Sequence, residues 1–168
     1  MHTFQTIAPS EMQENIFKLI GKDTFLLTAG QPGDFNTMTC AWGGMGIAWG
    51  RDVATVFVRH SRHTYTYIER EPYFSLAWFN EDYRSALQIC GHKSGRDTDK
   101  VAETGLIPRF DTNAPYFDQA RLIMICRKLY GHDINLDNFI DPAASTTYQS
   151  DALHRVYTAQ IEQVLLQK

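Results

Sequence analysis

Residues 53–71 read VATVFVRHSRHTYTYIERE, a strand delivered through a basic, hydroxyl-bearing turn to the start of a helix. Residues 53–58 are apolar and β-branched enough for a buried strand, Ser61 stands where a helix N-cap belongs, and Pro72 closes a helical run over residues 64–71. The turn therefore lies at a helix N-terminus, where free backbone N–H groups and the positive end of the helix dipole point outward. Arg59, Arg62 and the hydroxyls of Ser61 and Thr64 strengthen that field. The combination suits a phosphate monoester, because a guanidinium fork matches phosphate oxygens and small hydroxyls supply short neutral donors. The same residues also make a capped helix with solvated arginines, and a short motif alone defaults to that reading.

Outward from this stretch, strands prevail. Residues 24–28, TFLLT, form a strand that ends in the turn-rich AGQPGD of residues 29–34. A return strand begins near Met38 and runs through Trp42 toward Trp49, interrupted by Gly43, Gly44, Gly46 and Gly50. Glycine within a strand marks a bulge, a bend or the close approach of another group. Residues 73–79, YFSLAWF, are almost continuously apolar, as in a strand buried on both faces. Residues 120–130 form the longest apolar strand, and residues 155–166 a terminal one with Tyr157, Ala159, Ile161 and Leu165 on one face. Asn80 is placed to cap an amphipathic helix over residues 81–90 that ends near Gly91. Asp97 or Thr98 is placed to cap a short helix over residues 100–104 that Gly105 ends. Residues 108–115 are a loop, residues 133–148 a polar excursion across the surface, and residues 1–14 a loosely held arm. Strands follow one another instead of alternating with helices. The fold class is therefore mainly β, a closed or half-closed antiparallel barrel with a few peripheral helices, in preference to a doubly wound sheet.

With 168 residues, 43% of them hydrophobic, the chain is sized for one core and a single domain. A net charge of −3 excludes the global basic field that drives sequence-independent nucleic-acid binding. Cys40, Cys90 and Cys126 are scattered and odd in number, which argues against a disulfide framework and against a structural metal site. With no signal-type or membrane-spanning apolar window, the expectation is a soluble, cytoplasmic protein.

Two further stretches tip the balance at the first turn. Residues 91–100, GHKSGRDTDK, pack Lys93, Ser94, Arg96 and Lys100 into a glycine-bearing turn, a second anion site. Residues 36–46, NTMTCAWGGMG, bring the amide and hydroxyls of Asn36, Thr37 and Thr39 beside Met38 and Trp42, with glycines that admit a ligand to the main chain. That mixture suits a planar heteroaromatic ring with polar edges; the alternative is a tryptophan anchored in the core beside a bent strand. Together the three stretches describe a ring and a phosphate on a tether.

In order, N-T-M-T-x-x-W-G, V-A-T-V-F-V-R-H-S-R-H-T, Y-F-S-L-A-W-F, C-G-H-K-S-G-R-D-T-D-K and R-L-I-M-I-C-R-K-L-Y resemble the flavin reductase-like, FMN-binding split-barrel family, close to its flavoredoxin branch. The likeness runs from about Phe17 onward, and its specificity lies in the order and spacing of motifs that are individually weak. It implies a split antiparallel β-barrel that forms a homodimer, with one FMN per subunit where the subunits meet. Asn36, Thr37, Met38, Thr39 and Trp42 would line the ring and ribityl chain. Arg59, Ser61, Arg62 and Thr64 would hold the phosphate, closed over by Ser94 and Lys100 and less securely by Lys93 and Arg96. His60 and His63 stand where the family often carries other side chains, and no role attaches to them.

The chemistry expected is transfer of hydride from NADH or NADPH to FMN, which demands no side-chain nucleophile or general base. Lys100, if near the ring's pyrimidine edge or the phosphate, would favour the anionic reduced flavin. No G-x-G-x-x-G follows a strand, so the nicotinamide would dock on the open side of the flavin pocket, with the excursion over residues 133–148 as part of that surface. His154 is within reach of the pocket, although its simplest reading is a satisfied surface histidine. No helical H-x-x-x-H pair, G-x-S-x-G elbow or P-loop is present, and Cys90 has no identifiable base partner. Two alternatives stay open: a non-enzymatic FMN electron carrier reduced by a partner protein, and a barrel that binds something other than flavin.

Overall fold

The computed structural model describes residues 1–148 and 152–168. Among the described residues are ten strands: β1 (Phe4–Ile7), β2 (Phe25–Gln31), β3 (Asp34–Cys40), β4 (Gly43–Ala48), β5 (Arg51–Arg59), β6 (Tyr73–Trp78), β7 (Pro108–Arg109), β8 (Tyr116–Phe117), β9 (Leu122–Asp133) and β10 (His154–Gln167). Four helices lie outside them: α1 (His63–Arg70), α2 (Arg84–His92), α3 (Lys100–Thr104) and α4 (Pro142–Ser145). Eight strands form one antiparallel sheet in the order β3-β2-β6-β9-β10-β5-β4, with β1 added along β10, and β7 and β8 pair separately. The fold is mainly β with peripheral helices.

The strand order forces the sheet to curl. β3 and β4 stand at opposite ends of the path, yet only Ala41 and Trp42 join them. A flat sheet would hold strands six gaps apart at about 29 Å, whereas a link that short spans about 11 Å at most. The sheet must therefore bend until its ends approach at Ala41–Trp42. Register shifts in the β9–β10 pair, between Thr158 and Ala159 and between Ile161 and Gln163, supply local bends of the kind bulges produce. No ladder joins β3 to β4 among the described residues, so the strand path stays open.

The curl explains why β2, β6 and β9 are apolar on both faces. Leu27, Leu76, Met124 and Cys126 point into one buried cluster with Val56, Val58 and Tyr157 from the far strands. Their neighbours Leu26, Ala77, Ile123 and Ile125 point the other way, under Leu87 and Cys90 of α2 and under Tyr116 and Phe117. The YFSLAWF run is thus a doubly buried strand, as its composition predicts.

Several expectations need correcting. Residues 1–14 are not a loose arm: Phe4–Ile7 pairs with the end of β10, and His2 bonds Asp118 through its backbone N–H at 3.1 Å. The signal is hard to see because a four-residue strand added along a long one has no periodicity of its own. The return strand is two strands broken at Ala41–Trp42. Arg62, not Ser61, is the N-cap of α1, and no side chain caps it. Asn80 leads into a 3₁₀ turn, Glu81–Tyr83, before α2 begins, and Asp99 is the residue that caps α3, accepting from the Ala102 N–H at 3.1 Å. Gly105 ends α3 in the left-handed region at φ 67°, as expected.

Candidate functional site

The turn after β5 and the turn between α2 and α3 converge on β3, and two adjoining cavities open there. The first encloses about 210 Å³ and is lined by Asn36, Ser61, Arg62, His63, Thr64, His92, Lys93, Ser94, Gly95, Arg96 and Lys100, with Met38 at its border. The second encloses about 280 Å³ between Met38, Thr39, Cys40, Ala41 and Trp42 on one side and Phe57, Arg59, Arg62, Gly91 and His154 on the other. Met38 and Arg62 line both.

In the first cavity Arg62, Lys100 and Arg96 are held by neutral groups. The Arg62 guanidinium donates to the carbonyls of Gly91 at 2.8 Å and Cys90 at 3.4 Å, which ties the α1 turn to the end of α2. Lys100 is only 6% exposed, and its ammonium donates to the carbonyls of Thr37 at 2.6 Å and Cys90 at 3.1 Å. Arg96 reaches the Ser61 carbonyl at 3.4 Å. Lys93 is turned to Glu103 at 2.6 Å. No carboxylate lines this cavity among the described residues. Burial pushes the Lys100 ammonium down, and Arg62 adds to the effect. His63 is held below the usual imidazole range by burial, then by Arg96 and Lys100. A concave site with surplus positive charge and hydroxyl donors fits a phosphate group.

Asn36 closes the floor. Its side-chain amide donates to the Thr64 hydroxyl at 2.9 Å, and a methyl group on Gly95 would collide with its oxygen. A side chain at 95 would have to push the Asn36 amide aside.

The second cavity is aromatic. Trp42, 43% exposed, lies 4.9 Å from the His154 ring at a 36° tilt, with Phe57 edge-on to both. His154 is 6% exposed, and its Nδ1 meets the Tyr148 hydroxyl at 3.0 Å. Burial, Arg59 and His60 push His154 down to about 4, so the ring is neutral at physiological pH. Burial pushes the Cys40 thiol up to about 12, which keeps it protonated and unreactive.

Of the predicted residues, Asn36, Ser61, Arg62, Thr64, Ser94 and Lys100 meet at the cationic cavity, while Met38, Thr39, Trp42 and Arg59 meet at the aromatic one. Thr37 reaches neither. Strand alternation turns it away from Asn36 and Met38, and its hydroxyl lies 2.9 Å from that of Thr28, its cross-strand partner. Lys100 sits at the cationic end, not beside the aromatic cavity. His60 faces Asp133 at 2.9 Å. His154 is no surface histidine but a buried wall, and Phe57 and His63 were likewise missed. His154 becomes visible only once β10 lays it opposite Arg59. Among the described residues no group of histidine, cysteine and carboxylate side chains is placed to hold a metal.

A curled, mainly-β sheet with a cationic cavity adjoining an aromatic one has the layout of a protein for a phosphorylated ring compound. The model of the flavin reductase like domain family matches residues 17–165, and the chain belongs to that family. An FMN-binding domain of a flavin reductases-like enzyme from Shewanella baltica superposes with a TM-score of 0.70 at 15% identity, covering 98% of this chain and 78% of that one. Flavoredoxin of Desulfovibrio vulgaris gives 0.66 at 20% identity over 95% and 76%. Flavoredoxin from Methanosarcina acetivorans gives 0.65 at 20% over 84% and 67%. Curated protein sequences give no match.

Proposed function

We propose that the chain is an FMN-dependent oxidoreductase that accepts hydride from NADH or NADPH, working as a homodimer in the cytoplasm. The observation that carries this reading is the pair of adjoining cavities sharing Met38 and Arg62, one cationic without a carboxylate and one aromatic. Arg62, Arg96, Lys100, Ser61, Ser94 and Thr64 would hold the phosphate. Met38, Thr39, Trp42, Phe57 and His154 would border the ring, with Arg59 beside them and Arg62 between the two cavities. Bound FMN supplies hydride and single-electron transfer, while the chain supplies binding, access and electrostatics. The neutral His154 offers a donor or acceptor to a ligand on the open side without adding charge there. Family membership supports the flavin, and the approach of β3 to β4 at Ala41–Trp42 supports a split barrel.

The test is the absorbance spectrum of the purified protein, followed by anaerobic addition of reduced nicotinamide. The expected result is a yellow protein that bleaches with NADH or NADPH. A colourless protein that neither takes up FMN nor consumes nicotinamide would remove the reading. Bleaching by dithionite or a partner protein alone would replace the oxidoreductase with an electron carrier.

A further inference from the structure

His63 lines the cationic cavity. It opens α1 and stands edge-on to Tyr67 at 5.2 Å. Its Nδ1 is buried, with no hydrogen-bond partner among the described residues. Buried polar atoms of this kind are rare, and each calls for an explanation. The cavity beside it holds hydroxyls and cations, and no carboxylate lines it among the described residues.

The charges facing His63 are unequal. Arg96 and Lys100 oppose a second positive charge, and Asp34 and Asp97 favour it more weakly. Asp34 is engaged by Arg70 at 2.9 Å. The imidazolium is therefore disfavoured while the cavity holds only cations. A phosphate dianion reverses the local sign, and an imidazolium then becomes the favoured form.

We propose that His63 is a proton-linked ligand of the phosphate: when a phosphate monoester seats between Arg62, Arg96 and the start of α1, the imidazole takes one proton from solvent and donates an N–H to a phosphate oxygen. This rests on the reading of the cavity as the FMN phosphate site, and it makes cofactor binding pH-dependent through one residue.

Calorimetric titration of the flavin-free protein with FMN, in two buffers of different ionisation enthalpy at slightly alkaline pH, counts the protons. The native chain is expected to take up about one proton per FMN, and His63→Gln to lose that uptake. Riboflavin, which lacks the phosphate, is expected to bring no proton in either. As pH falls, affinity for FMN relative to the variant rises by up to about tenfold per unit. Should His63→Gln fold poorly, NMR titration of the His63 ring in the native protein decides the point, with the midpoint moving to higher pH when FMN is bound. FMN binding with equal proton uptake in both proteins, or with an unmoved His63 midpoint, overturns the proposal and leaves the flavin site standing. A native protein that does not bind FMN overturns both.

Discussion

Arg62 touches both cavities and donates to the carbonyls of Cys90 and Gly91. Replacing it with lysine keeps the charge and removes the planar fork, so Arg62→Lys is expected to weaken FMN binding by about 1.5–3 kcal/mol, read by flavin fluorescence titration. His154 carries a pH signature. Its folded value near 4 lies below the ordinary 6.5, so the unfolded chain binds the extra proton between the two. The stabilisation is complete above about pH 6.5 and lost as pH falls through 4, about 3 kcal/mol in all. Urea denaturation across that window should therefore be steeper in pH for the native chain than for His154→Gln, and equal slopes would place the imidazole in solvent. Single residues were legible where the chemistry is local. Arg62, Ser61 and Thr64 sit within four positions of one another, and Ser94 and Lys100 share one turn. His154 was misread because its burial comes from Trp42, Phe57 and Tyr148, which tertiary pairing alone brings to it.

At the level of elements, the site depends on a strand meeting a turn. β3 presents Asn36 to α1, where its amide bonds Thr64, and the turn after α2 packs Gly95 against that amide. Gly95→Ala is expected to displace the amide and break the Asn36–Thr64 bond. The Asn36 side chain is buried, so a cost of about 1 kcal/mol in stability and a weaker hold on FMN should appear together, measured by denaturation and by titration. A stability loss without a change in affinity would separate Asn36 from the ligand. The two basic turns could be read from sequence because glycine, serine and cationic side chains cluster within ten residues. The face of β3 could not, since a period of two fixes alternation but not which side is in. Thr37 was placed in the site for that reason, and it lies against Thr28 instead. The β4–β5 turn is similar: Trp49 and Gly50 both take positive φ, 51° and 67°, as a two-residue hairpin of the primed type demands. The glycine hinted at it, while the tryptophan concealed it.

For the molecule as a whole, the curl that brings β3 toward β4 also leaves an aromatic pair exposed at the β4–β5 turn and on β9. Trp49 is exposed at 65% and Tyr130 at 51%, and the two meet ring to ring at 6.1 Å. Trp42 exposes part of its indole at the mouth of the aromatic cavity. Large side chains of this kind gain about 25 cal/mol for each Å² of apolar surface removed from water, so covering them is favourable. A second copy of the chain would cover them and wall the open side of the ring site at once. Light scattering on the eluted protein is therefore expected to give twice the 19.2 kDa chain mass. Trp49→Glu should shift the population toward the single-chain mass and lower FMN retention on dilution, because the site would lose its outer wall with the partner. A native protein of single-chain mass that keeps its FMN on dilution would show instead that one chain completes the cavity alone.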